Sequence, residues 1–425
     1  MEFAIIATFV IGYLLIAFEH PLKINKAAIA LLTGILCWTI YILNQPAKEL
    51  VTHQLLEHLG DISGILFFLL GAMTLVELID AHDGFEIITD RIKTQSTIKL
   101  IWIISGITFF LSAALDNLTT TIVIVSLLRK ILADRDKRLL IVGITIIAAN
   151  AGGAWSPIGD VTTTMLWIGG QVTTLKVMTG VFLPSVVCLL VPLLFISFVA
   201  RGEFETPDVE EKGTSPAPTS ERNFLFFIGL AIFIFVPIFK TVTHLPPFMA
   251  MLFGLGVMWV ITELIHRNKD EEDKGVLSVA YALRKIDTPS ILFFLGILIS
   301  ISALQATGQL NEAANWLTRT IGNDTLIILA FGLLSAVVDN VPLVAAAQGM
   351  YSLQQYPTDS YFWEFLAYAT GTGGSTLIIG SAAGVAAMGM ERIDFFWYVK
   401  KISLLALLGY FAGALVYIAQ HTLIS

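Results

Sequence analysis

The sequence predicts an all-α polytopic membrane protein of two inverted repeats, each with five spans plus one re-entrant hairpin, and with two broken helices. Three observations lead there. Of the 425 residues, 56% are hydrophobic and only 14% charged, against about 25% charged in a soluble domain; the mean hydropathy is +0.80. Three motifs recur in order on either side of a central polar stretch. Finally, the Lys and Arg residues gather on one side of a bilayer only if two segments turn back within it.

Along the chain, apolar segments run at 3–18, 26–44, 63–82, 98–132, 137–171, 174–200, 224–244, 246–266, 286–308, 325–351, 360–390 and 396–422. A membrane helix needs roughly 20 residues. The opening FAIIATFVIGYLLIAF has no basic n-region and no small-residue cleavage site, so it is expected to be the first span. Segments 98–132 and 137–171 are too long for one span, and both carry polar residues at their middle. Residues 201–222, RGEFETPDVEEKGTSPAPTSER, are rich in Pro, charge and small polar residues and read as a linker. It separates a first repeat, 1–200, from a second, 223–425. Hairpins are expected at 98–132 and 325–351, and broken helices at 137–171 and 360–390.

The repeat rests on three matches. ILFFLL (65–70) returns as ILFFLG (291–296), SAALDN (112–117) as SAVVDN (335–340), and AGGAWSPIG (151–159) as TGGSTLIIG (372–380). The offsets are 226, 223 and 221 residues. If each Asp-Asn segment is a hairpin that leaves by the side it entered, the 25 Lys and Arg residues split 21 to 4, with Lys48, Lys176, Lys240 and Arg319 as the minority. Full crossings would split them 11 to 14. The hairpin arrangement satisfies the positive-inside rule. It puts the linker in the cytoplasm and both termini outside.

Non-helical backbone at membrane depth survives only against protein or a water-filled cavity. Four breaks are expected: the two hairpin tips, NAGGAWSPIGDVTTT (150–164) with Pro157, and GTGGSTLIIGSAAG (371–384). Inverted repeats with discontinuous helices point to a transporter whose site lies at the repeat interface. Near the breaks stand Asp116, Asn117, Thr119, Thr120, Asn150, Asp160, Thr162, Thr163, Asp339, Asn340, Thr372, Ser375 and Ser381. All offer oxygen, three as carboxylates, and no Lys, Arg or His is among them. Hard cations prefer such ligands. Other readings stay open. Asp116, Asp339 and Asp160 could simply cap helices, and Ser112 and Ser335 could bond their own helix backbone. Glu77 and Glu364 read as interfacial groups near span ends, and His53, His58 and His82 as surface groups in loops or at span ends. Cys37 and Cys188 read as packing residues. No CxxC, HExxH or Gly-Lys-Ser/Thr motif is present, which leaves metal, redox and nucleotide chemistry without support. No basic run with interleaved aromatics suggests nucleic acid.

SAALDNLTTTIV, NAGGAWSPIGDVTTTMLW, SAVVDNVPLVAAA and GAMTLVELIDAHDGF (71–85) resemble the NhaD family of sodium/proton antiporters, over nearly the whole chain. The resemblance implies a carrier rather than an enzyme, working in pH homeostasis in a bacterial inner membrane, with no cofactor beyond the transported Na⁺, Li⁺ and protons. It also implies a superfamily fold with two re-entrant hairpins and two broken helices, sliding against a homodimeric scaffold. By resemblance, functional roles fall on Ser112, Asp116, Asn117, Ser335, Asp339 and Asn340 of the hairpins, and on Asn150, Asp160 and Thr162 of the broken helix. Na⁺ is then expected at Asp116, Asn117, Asp339 and Asn340, with Thr372 and Ser375 nearby. A carboxylate out of water holds its proton until a cation replaces it, so Na⁺ and protons would compete at one site. One rival is an anion carrier for dicarboxylate or arsenite; a second is a channel or membrane receptor without coupled transport. The superfamily's dicarboxylate members carry Ser-Asn-Thr at the hairpin tips, where this chain has Asp-Asn.

Overall fold

The computed structural model describes residues 1–425 except 18, 90, 91, 93, 200–217, 268–274 and 425. The fold is all-helical. Among the described residues nine helices are long and apolar enough to cross a membrane, and Glu2–Ala17 is a shorter apolar one. The outward faces carry Leu, Ile, Val and Phe, with Phe3, Phe198 and Val242 more than 70% exposed, while Ser, Thr and Asn are buried within. That distribution suits a hydrocarbon surround, where apolar side chains face lipid and polar ones must find partners inside. This is a multi-pass membrane protein. Cys37 and Cys188 are buried and free.

Each expected break appears. Thr97–Leu115 and Asn117–Ile131 meet at Asp116; Arg135–Ala154 and Val161–Ile168 flank the first glycine-rich interruption. In the second half Asp324–Leu334 and Asn340–Met350 flank the tip, and Tyr361–Gly373 and Ala382–Glu391 flank the second interruption. Of these, Thr97–Leu115 and Arg135–Ala154 are each long and apolar enough to cross a membrane.

The packing comes in twins. Thr97–Leu115 lies on Arg135–Ala154, and Asp324–Leu334 lies on Tyr361–Gly373. The far halves of the broken helices trade partners: Val161–Ile168 packs on Asn340–Met350, and Ala382–Glu391 on Asn117–Ile131. Around them Lys26–Leu43 runs along Thr288–Ala306, as Pro247–Ile265 runs along Lys48–Ala81. Thr174–Val199 pairs with Leu404–Ile424.

Several boundaries differ from the sequence reading. The span expected at 63–82 begins at Lys48 and runs 34 residues, so His53 and His58 lie on a helix rather than in a loop. Lys48–Ala81 therefore exceeds a bilayer's thickness, and its first four turns carry Glu49, His53, Glu57, His58 and Asp61. Gln309–Ile321, unexpected from hydropathy, is an amphipathic helix bent 117° from Asp324–Leu334. Most of the expected linker 201–222 lies outside the described residues, and Thr219–Thr243 begins within it.

One end of the molecule is held by charge. Glu391, buried, accepts from Arg129 Nε at 2.5 Å and Arg138 Nε at 3.1 Å, while Arg135 donates to the Glu391 carbonyl. Glu86 pairs with Lys130 at 3.1 Å and Arg222 at 3.5 Å. A buried carboxylate that loses its charge leaves its arginines to re-solvate, at a cost of about 1–3 kcal/mol. Glu391→Gln should therefore lower the melting temperature in detergent by several degrees. Lys130→Gln, at an exposed pair, should barely move it.

Candidate functional site

Each of the three acids ends or begins a helix. Asp116 sits at φ 88, ψ 160, a conformation L residues rarely adopt. Its carboxylate accepts from the Thr119 amide and the Thr119 hydroxyl, both at 2.8 Å. Asp160 accepts from the Thr162 amide at 2.8 Å and hydroxyl at 2.7 Å. Asp339 accepts from the Val341 amide at 3.2 Å. All three act as N-caps, each holding an orphan amide at a half-helix start.

Asp160 does more. Its second oxygen accepts from Asn117 Nδ2 at 2.6 Å and from Asn340 Nδ2 at 3.5 Å, so both hairpin tips meet on one carboxylate. Asn117 Nδ2 also reaches Asn150 Oδ1 at 2.9 Å. Asn150 in turn donates to Ser375 Oγ and Ser381 Oγ, both at 2.9 Å, on the other broken helix. Asp160 is 1% exposed and Asn150 fully buried. Among the described residues, the Thr120 and Thr376 hydroxyls beside the breaks are buried without a hydrogen-bond partner. The centre thus offers carboxylate, amide and hydroxyl oxygens, a donor set suited to a hard cation.

Close backbone approach makes this possible. At Gly152 a Cβ would strike the Phe109 carbonyl, and at Gly373 the Gly332 carbonyl. Ser112 Oγ then donates to the Ala149 carbonyl at 2.6 Å, and Ser335 Oγ to the Thr370 carbonyl at 2.9 Å. These serines bond the facing broken helix, not their own backbone.

The structure gathers Asn117, Asn150, Asp160, Thr162, Asn340, Ser375 and Ser381 into one network. Asp116 and Asp339 flank it half-buried, within electrostatic reach of Asp160. Thr372 donates to the Tyr368 carbonyl of its own helix and stands apart. Three expectations need correcting. Glu364 is 4% exposed, inside the protein beside Tyr417 rather than at an interface. His82 is completely buried, because its ring stacks on His266. The tips are also not free of basic groups: Lys26 Nζ lies 3.7 Å from Asp339 Oδ2 and over the Phe293 ring. Lys26 is 313 residues from Asp339, and nothing local in the sequence links them.

Two sets of cavities open at opposite ends of Thr288–Ala306. One pair, about 80 and 210 Å³, shares Glu19 and Lys26 and reaches Asp339 and Ser290. The other, about 530 Å³, is lined by Glu57, Asp61, Gln171, Ser302, Gln305 and Gln348. The buried network lies on broken helices with polar cavities at either end, the build of a secondary transporter.

Comparison with known sequences agrees. A model of the citrate transporter family matches residues 13–373. Sodium/proton antiporter 1 of Arabidopsis thaliana is 50% identical over 99% of this chain and 73% of its own length. The Na(+)/H(+) antiporter NhaD of Vibrio cholerae is 31% identical over 98% and 91%. The chain belongs to this family of citrate-transporter-like proteins, among its NhaD-type sodium/proton antiporters. In fold it is similar to the Alcanivorax borkumensis YdaH transporter, with a TM-score of 0.55 at 12% identity over 88% of this chain and 89% of that one.

The glycine contacts give a direct test. Forcing a methyl into a tight backbone crossing costs about 1–3 kcal/mol, so Gly152→Ala should lower thermal stability clearly. Gly106→Ala, where nothing lies within 4 Å, should leave the melting curve in detergent unchanged.

Proposed function

We propose that this chain exchanges cytoplasmic Na⁺, and Li⁺, for external protons, the ions competing for the carboxylates of Asp160, Asp116 and Asp339. The observation that carries the reading is Asp160. It is buried and held by neutral donors from both hairpins, and among the described residues no basic group hydrogen-bonds it. An isolated charge in such a place is costly, so the site favours either a proton or a cation on the carboxylate. Relatives named as sodium/proton antiporters support Na⁺ as the cation.

The alternation follows from the twinned packing, which supports two repeats of opposite orientation and hairpins that turn back in the bilayer. The far half of each broken helix rests on the other repeat's hairpin, so a shift of one repeat opens Asp160 to one cavity and closes the other. The charge bias supports a cytoplasmic opening for the Glu19–Lys26 cavity. Na⁺ arriving there meets Asp339 first and must displace the Lys26 ammonium.

The family's description as citrate transporters raises an anion as the alternative cargo. The carboxylate at the centre and the two that flank it would repel it, and Lys26, the basic group the structure brings to a tip, already faces Asp339.

Fluorescence dequenching in everted vesicles tests the reading. Asp116→Asn, Asp160→Asn and Asp339→Asn keep size and capping ability, and each should abolish Na⁺- and Li⁺-driven proton release while the protein stays inserted. Glu77→Gln, half-buried away from the network, should keep exchange. Full antiport in all three Asp variants, or a citrate-driven signal with no Na⁺ response, would sink the proposal. For Lys26→Gln we expect a lower apparent KM for Na⁺, since the competing ammonium is gone; a raised KM would show that Lys26 helps bind the ion instead.

A further inference from the structure

A second cluster of ligating groups lies outside the transport network. His82 ends the long span Lys48–Ala81, His266 ends Pro247–Ile265, and Glu221 sits in the first turn of Thr219–Thr243. Three helix ends thereby meet at three side chains, all 9% exposed or less. Among the described residues, this is the one group of His, Cys, Asp or Glu whose ligand atoms converge closely enough to hold a metal ion.

Its geometry is specific. His82 Nε2 and His266 Nε2 are 3.3 Å apart, His266 Nε2 and Glu221 Oε1 2.6 Å, and His82 Nε2 and Glu221 Oε1 3.8 Å. Ligands bound tetrahedrally at about 2.0–2.1 Å from zinc stand about 3.3 Å from one another, and these three edges bracket that value. The two imidazole rings are nearly parallel with centroids 5.1 Å apart, so they approach more closely at their Nε2 atoms than at their centres. The tautomer is fixed as a metal site requires. His82 Nδ1 lies 2.7 Å from the Leu78 carbonyl, an acceptor only, so Nδ1 carries the hydrogen and Nε2 presents its lone pair to the cluster.

We propose that His82, Glu221 and His266 form a site for a divalent transition-metal ion of the zinc class, with two imidazoles and a carboxylate as protein ligands. Two His and one Glu is a ligand set that zinc takes, leaving a fourth position for water. The ion would bind the first helix after the linker to the long span of the first half and to the next helix. It would thus fix the second half's entry to the first without touching Asp160. The site is independent of what the transporter carries.

The test uses the full chain, purified in detergent without a polyhistidine tag, and Zn²⁺ alone as the probe. Calorimetry should show one Zn²⁺ per chain, and Co²⁺ in its place should give the intense visible bands of a tetrahedral ion. His266→Gln and Glu221→Gln should each weaken Zn²⁺ binding by at least about tenfold, since even loss of an outer-shell partner costs that much. Both should still elute as folded protein, with Na⁺/H⁺ exchange in vesicles retained. If His82→Gln fails to fold, Glu221→Gln decides the matter, because Gln keeps the helix and its volume. No saturable Zn²⁺ binding, or binding equal in wild type and both variants, overturns the proposal and leaves a His–His–Glu cluster that shares a proton.

Discussion

The structure depends on how a buried carboxylate finds partners in a medium without water. Asp160 cannot be left bare in hydrocarbon, where an unsatisfied polar group costs several kcal/mol. Its oxygens are met by Thr162 from its own half-helix and by one asparagine from each hairpin. For Asn117 and Asn340 both to reach it, both helices must stop at the same depth. An aspartate caps each restart, and at Asp116 the backbone turns at φ 88. The tight glycine crossings at Gly152 and Gly373 bring the broken helices close enough for this to happen.

A large part of this was legible in the sequence because membrane-buried polar groups are so costly that each leaves a mark. The doubled Asp-Asn motif and the two glycine-rich runs located all four breaks. The seven residues that form the central network were all among the oxygen-bearing residues near them. What stayed hidden depends on distance in the chain. The meeting of Lys26 with Asp339, and of His82 with His266, joins segments 313 and 184 residues apart. A lone His at a span end looks like a surface group until its stacking partner is placed. Gln309–Ile321 was missed for another reason: its two-sided polarity gives no apolar run, and hydropathy sees only such runs.

The traded packing ties the two halves of the chain together. In each broken helix the near half lies on the Asp-Asn segment that precedes it in the chain and the far half on the other Asp-Asn segment. The near contacts bring backbone against backbone at Gly152 and Gly373. The far contacts are made by short helices of 8 and 10 residues, which cannot be stable alone and take their order from the partner repeat. Asp160 and Ser381 stand at the N-termini of these far halves.

The scaffold is twinned but the centre is not. At the offset of 221 residues that aligns the glycines, Asn150 corresponds to Gly371 and Asp160 to Ser381. The first repeat supplies the amide and the carboxylate; the second supplies the hydroxyls that accept from Asn150. A second acid at position 381 would lie against Asn150, which bonds Asn117 beside Asp160, and like charges within one network disfavour ionisation of both. With a serine in the second position, one carboxylate sits at the shared centre and two more wait at the tips, Asp116 held by a threonine and Asp339 beside Lys26. The asymmetry of this residue pair leaves a single carboxylate inside the central network.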